Sequence, residues 1–145
     1  MDTAYKTTLE LDKVLNRAVQ LCACQETKEM MQALEPAHTI EDERYDLAQT
    51  NAINALLIKN GSPRFGSVRE VRRIVAHARK GGILSMGELL EIAATLRNFS
   101  GLSQWYGLSE HDMLPTDDLF FALAPQPVLE KQISVSYTHL RAHET

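Results

Sequence analysis

The sequence predicts an all-α fold, and three observations carry that prediction. Apolar residues recur at i, i+3, i+4 and i+7 along nearly the whole chain, which is the helical period. Seven glycines and five prolines in 145 residues are few for a loop-rich all-β protein. No pair of alternating runs is joined by a tight-turn dipeptide, so no hairpin signal competes. The chain is 44% hydrophobic and 23% charged, which excludes collagen, low complexity and wholesale disorder. It is long enough for one ordinary core, and with aromatics at only 6% that core is expected to be aliphatic.

The elements follow in order. Leu11, Val14, Leu15, Ala18, Val19 and Cys22 form a stripe that predicts a helix from about Glu10 to Leu21. A second helix is expected at about Gln25–Leu34, with Thr27, Met30, Met31 and Leu34 inward, ended by Glu35-Pro36 because proline disfavours the α region in the residue before it. Thr39 is a good N-cap for a third helix, with Glu41, Asp42 and Glu43 at the positive end of its dipole. That helix should reach Asn60, where Gly61 suits a left-handed C′ position. Residues 62–67 read as a turn, with Phe65 plugging onto the core.

A fourth helix is expected from Arg69 to Lys80, with Val71, Ile74, Val75 and Ala78 on its inner side and Gly81-Gly82 as its stop. Ser85-Met86-Gly87-Glu88 is a capping box. It opens a fifth helix striped by Leu89, Ile92, Ala93, Leu96, Phe99 and Ser100 as far as Gly107. Glu88, Glu91, Thr95 and Asn98 take its exposed positions, and Trp105-Tyr106 at its end reads as packing or a partner contact. After a loop at 108–116, Thr116-Asp117-Asp118 starts a short helix carrying Leu119, Phe120 and Leu123 and cut by Pro125. Pro127 suits the first position of a last helix over Val128–Ile133.

From Ser134 the stripe is lost. His139 and His143 stand at i, i+4, a spacing zinc sites use, but a third ligand and the acid of H-E-x-x-H are missing, so no metal site is assigned. Residues 134–145 resemble translated sequencing-adaptor read-through, and the expected division is a native helical segment over 1–133 and a non-native tail over 134–145. No apolar run approaches the eighteen or so residues of a membrane span. Met1–Lys6 opens an amphipathic stretch rather than an apolar signal core, so a cytoplasmic location without membrane partners is expected. Cys22 and Cys24 are too close for an unstrained disulfide and too few for a metal site, and read as reduced thiols.

No G-x-x-x-x-G-K-[ST], G-x-S-x-G or C-x-x-C occurs, so neither a catalytic residue nor a cofactor site is assigned. One feature rises above background. Arg64, Arg69, Arg72, Arg73, Arg79 and Lys80 lie within seventeen residues, with Glu70 the only acid, giving a net +5 segment in a chain of net −4. On a helix, Arg69, Arg72, Arg73 and Lys80 would share a face with Arg79 beside it. Such a row can hold phosphates by charge and counterion release without reading bases. The alternative is a solvated face, or one paired with Glu41, Asp42, Glu43 and Asp46. His77 could join the patch, whereas His38 and His111 fall in loops without an evident partner.

Four separated motifs stand in order: Thr8-Leu9-Glu10-Leu11-Asp12-Lys13-Val14-Leu15, Leu34-Glu35-Pro36, Pro63-Arg64-Phe65-Gly66, and Gly81-Gly82-Ile83-Leu84-Ser85-Met86-Gly87-Glu88-Leu89-Leu90. Together they resemble the N-terminus of the bacterial MutS-two family, paralogues of the mismatch-repair ATPase MutS, over about residues 7–133. Ser67-Val68-Arg69-Glu70 departs from the Gly and Asp that family members tend to carry after the turn. The resemblance implies an N-terminal core and lever bundle of a larger protein. It implies that ATP and Mg²⁺ belong to a downstream P-loop domain that dimerises, and that the parent usually ends in an Smr nuclease-type domain. It further implies links to branched or mismatched DNA, to suppression of homologous recombination and to stalled or collided ribosomes. Two other readings remain beside it: a self-contained helical protein-interaction module, and a small nucleic-acid binder built on the basic helix.

Overall fold

The structure, a computed structural model, describes residues 8–64, 69–108 and 110–143, with backbone alone over 139–143. Its described residues hold seven helices and no strand: α1 (Leu11–Leu21), α2 (Gln25–Gln32), α3 (Ile40–Asn60), α4 (Arg72–Arg79), α5 (Met86–Tyr106), α6 (Asp117–Phe121) and α7 (Pro127–His143). The fold class is all-α. The chain divides into two compact units, Met1–Pro36 and Ala37–Thr145.

In the first unit α1 packs against α2. Leu11, Leu15, Ala18, Val19 and Cys22 are half-covered, as the stripe requires, while Val14 is 62% exposed. The Cys22 thiol donates to the Ala18 carbonyl at 3.4 Å, and both cysteines are free. In α2 only Met31 of the four expected inward residues is half-covered; Met30, Thr27 and Leu34 are exposed. A helix of eight residues has little more than two turns, so it presents one narrow contact line to α1.

The second unit is built on α3, α5 and α7. Thr39 caps α3, its hydroxyl oxygen accepting from the Asp42 N–H at 3.1 Å, and Gly61 ends it with φ +73°. The core joins Leu56 of α3 to Trp105 and Tyr106 of α5, with Ile53, Leu57, Leu114 and Phe120 around them. Aromatic stacking therefore completes a core that composition suggested would be aliphatic: the Tyr106 and Phe120 rings lie 3.8 Å apart and nearly parallel. The helix ends are tied reciprocally. The Trp105 indole N–H donates to the Gly61 carbonyl at 2.8 Å, and the Asn60 amide donates to the Trp105 carbonyl at 3.1 Å. Tyr45 and Gln49 both donate to the Pro115 carbonyl, which fastens α3 to the loop before α6.

Along α5, Ala93 is buried as the stripe requires. Thr95, placed outward by the sequence pattern, is buried too, and its hydroxyl is satisfied by the Glu91 carbonyl one turn back at 3.0 Å. Helix α7 packs on α5, with Ile133 buried and Arg97 bridging to Glu130 at 2.9 Å. It does not stop at Ile133 but continues to His143. No glycine or proline follows Pro127, and an established helix propagates at little cost per residue. The Ser136 and Thr138 hydroxyls turn back onto carbonyls of the preceding turn, so both are satisfied within the helix.

Candidate functional site

The basic segment is the first candidate, and its geometry differs from the sequence pattern. Helix α4 begins at Arg72, three residues later than predicted, so Arg69 lies in non-helical chain and shares no helical face with Arg72 and Arg73. The cause is local. Val71 stands at the N-cap with no side-chain cap, the first turn holds no acid, and Arg72 and Arg73 place positive charge at the positive end of the dipole. At the other end the signs match: His77 and Arg79 occupy the last turn and Lys80 is the C-cap. Seven-residue spacing aligns Arg72 with Arg79 and Arg73 with Lys80, while Ile74 turns inward and is buried.

All six predicted cations are exposed, Arg64 in the non-helical chain after Gly61. Among the described residues, no ion pair joins Arg64, Arg69, Arg73, Arg79 or Lys80 to Glu41, Asp42, Glu43 or Asp46. These five charges therefore face water and are open to an external anion. His77 leaves the patch: a Cβ on Gly82 would fall 2.3 Å from its ring, so the imidazole lies over the glycine in the turn between α4 and α5. Phe65, Gly66, Ser67 and Val68, with the plug and the family departure read there, lie outside the described residues, as do the side chains of His139 and His143.

The second candidate was not visible in the sequence. A cleft of about 350 Å³ opens where α3 and α5 end, lined by Asn60, Ser62, Pro63, Arg64, Gly101, Gln104, Trp105 and Leu108. Gly101 sits inside a 21-residue helix, where glycine costs about 1 kcal/mol relative to alanine. A Cβ there would meet nothing within 4 Å, because its space is part of the cleft. The available signal was a glycine interrupting the strongest helical pattern in the chain.

A third cluster is structural. The Tyr106 hydroxyl donates to Asp117 at 2.7 Å and lies 2.8 Å from the Thr116 hydroxyl, while the other Asp117 oxygen accepts from the Leu114 N–H. His111, without a partner in the sequence pattern, stands edge-on to the Tyr106 ring at 4.8 Å. Burial pushes the Tyr106 phenol above its usual value, and the Tyr106 hydrogen bond holds the Asp117 carboxyl below the usual carboxylate range. Among the described residues, no group of three or more His, Cys, Asp or Glu is placed to hold a metal ion, and no helix is long and apolar enough to cross a membrane.

Fold and site together describe an all-α region that presents an exposed basic segment. The chain is similar to Endonuclease MutS2 of Halothermothrix orenii, at 28% identity over 105 residues, 72% of this chain and 13% of that protein. Endonuclease MutS2 of Ruminiclostridium cellulolyticum is 28% identical over 135 residues, 92% of this chain and 17% of that protein. Endonuclease MutS2 of Clostridium botulinum is 33% identical over 89 residues, 61% of this chain and 11% of that protein. Similarity to proteins of this name thus extends over most of the chain. The chain spans less than a fifth of the length of these relatives. No family model matches the chain, and no solved structure does.

Proposed function

We propose that the chain serves as a non-catalytic helical region of a MutS2-type protein. Such a parent would bind branched or mismatched DNA, suppress homologous recombination, act on stalled or collided ribosomes and dimerise through an ATPase domain, in the cytoplasm. The observation that carries the reading is 26–33% identity to proteins named Endonuclease MutS2 over 61–92% of the chain. The residues present do not fit ATP or Mg²⁺: none of the seven glycines begins a P-loop. Nucleotide chemistry is therefore assigned elsewhere in the parent, and this region's own contribution is scaffolding and phosphate contact. The exposure of Arg64, Arg69, Arg72, Arg73, Arg79 and Lys80 supports the phosphate role.

The test is salt-dependent binding of the 145-residue chain to a four-way DNA junction. Changing Arg72, Arg73 and Lys80 together to Gln should flatten the plot of log affinity against log salt by roughly two to three, about one for each phosphate no longer neutralised. An unchanged slope would return the segment to a solvated surface. A second reading, a helical protein-interaction module, is favoured by exposed Leu21, Met30, Ile83 and Met113. Such a module would show no salt-dependent junction binding.

A further inference from the structure

We infer that the cleft between the ends of α3 and α5 takes a single unpaired nucleobase, with Arg64 holding the adjoining phosphate. This inference rests on the proposed nucleic-acid reading and names the part of the ligand that the region would recognise. The volume, about 350 Å³, lies at the small end of ligand sites. Pro63, Trp105, Leu108 and the bare Gly101 backbone supply apolar wall for a flat ring. Two amides supply the polar edge. Among the described residues, Gln104 has no side-chain hydrogen-bond partner. Asn60 donates through its nitrogen to the Trp105 carbonyl, which leaves its side-chain oxygen to accept. An amide donor, an amide acceptor and a partly apolar lining match a base edge, which carries both kinds of group.

Arg64 connects the cleft to the charge. It lines the cleft, it has no ion-pair or hydrogen-bond partner among the described residues, and it is the first cation of the basic segment. Its guanidinium would hold the phosphate next to a base seated in the cleft. Paired bases are stacked within the duplex and cannot enter a slot of this size, so the site selects unpaired strand.

The experiment uses the whole chain, its sole tryptophan as reporter, and two probes: single-stranded (dT)20 and a 20-base-pair duplex. Trp105 forms part of the wall, so (dT)20 should change its emission saturably, and the duplex should not. Gly101→Leu fills the cleft and suits a helix better than glycine, and it should weaken (dT)20 binding about tenfold while duplex affinity stays unchanged. Gln104→Ala, which removes only the amide, should act in the same direction and serves if the leucine disturbs folding. Saturable (dT)20 binding without a Trp105 response, or with both variants equal to the parent chain, overturns the inference and leaves the phosphate reading standing. Failure of both probes to bind overturns both.

Discussion

Tyr106 concentrates more of the second unit's chemistry than any other side chain. Its ring stacks on Phe120 and makes a T-shaped contact with His111, and its hydroxyl serves Asp117 and the fully buried Thr116. Tyr106→Phe keeps the stacking and strands the Thr116 hydroxyl, a loss of about 1–3 kcal/mol. The pH dependence identifies the cause. The Asp117 carboxyl is held low in the folded chain, so its contribution is full above the unfolded value near 4 and is lost as pH falls through the folded value. The Tyr106 phenol is pushed up, so its contribution is full below the unfolded value near 10 and is lost as pH rises through the folded value. Urea unfolding across this range should show both limbs. In Tyr106→Phe the alkaline limb should shrink with the missing phenol and the acid limb with the missing bond to Asp117. Two unchanged limbs would remove Tyr106 from the account.

At the scale of elements, local chemistry decided what could be read in advance. Helix α5 opens with a complete capping box: Ser85 accepts from the Glu88 N–H, and the Glu88 carboxylate accepts from the Ser85 N–H and hydroxyl, each at 2.7 Å. The Ser85 backbone bond, then its hydroxyl, holds the Glu88 carboxyl below its usual range. Ser85→Ala should cost about 1 kcal/mol in denaturant unfolding, and a cost near zero would mean the box contributes nothing. Such caps act within four residues, and so do Thr39 and Gly61, which is why α3 and α5 were legible from sequence. Helix α4 carries no cap, and the pattern alone placed its start three residues early. The charge of the basic segment was equally legible, but its arrangement was not, because Arg69 falls outside the helix. The cleft was hidden for a different reason. Asn60, Arg64, Gly101 and Gln104 come together where Trp105 bonds with Gly61 and Asn60 across the ends of two helices far apart in sequence.

The whole molecule divides unequally. The unit over Ala37–Thr145 owns the core of Leu56, Trp105 and Tyr106. No described residue of the unit over Met1–Pro36 is buried, and Leu9, Leu21 and Met30 are 74%, 87% and 73% exposed. Two helices of eleven and eight residues are below the length at which helices persist in water without tertiary support. Stability should therefore be graded along the chain. In hydrogen exchange on the full chain, backbone amides of α1 and α2 should exchange at least about 100-fold faster than those around Leu56 and Trp105, a gap of about 3 kcal/mol in opening free energy. An apolar partner that covers α1 and α2 should slow their exchange selectively and leave α3 and α5 as they were. Uniform protection over both units in the chain alone would contradict this division, and would mean that the exposed Leu9, Leu21 and Met30 do not govern how readily the first unit opens.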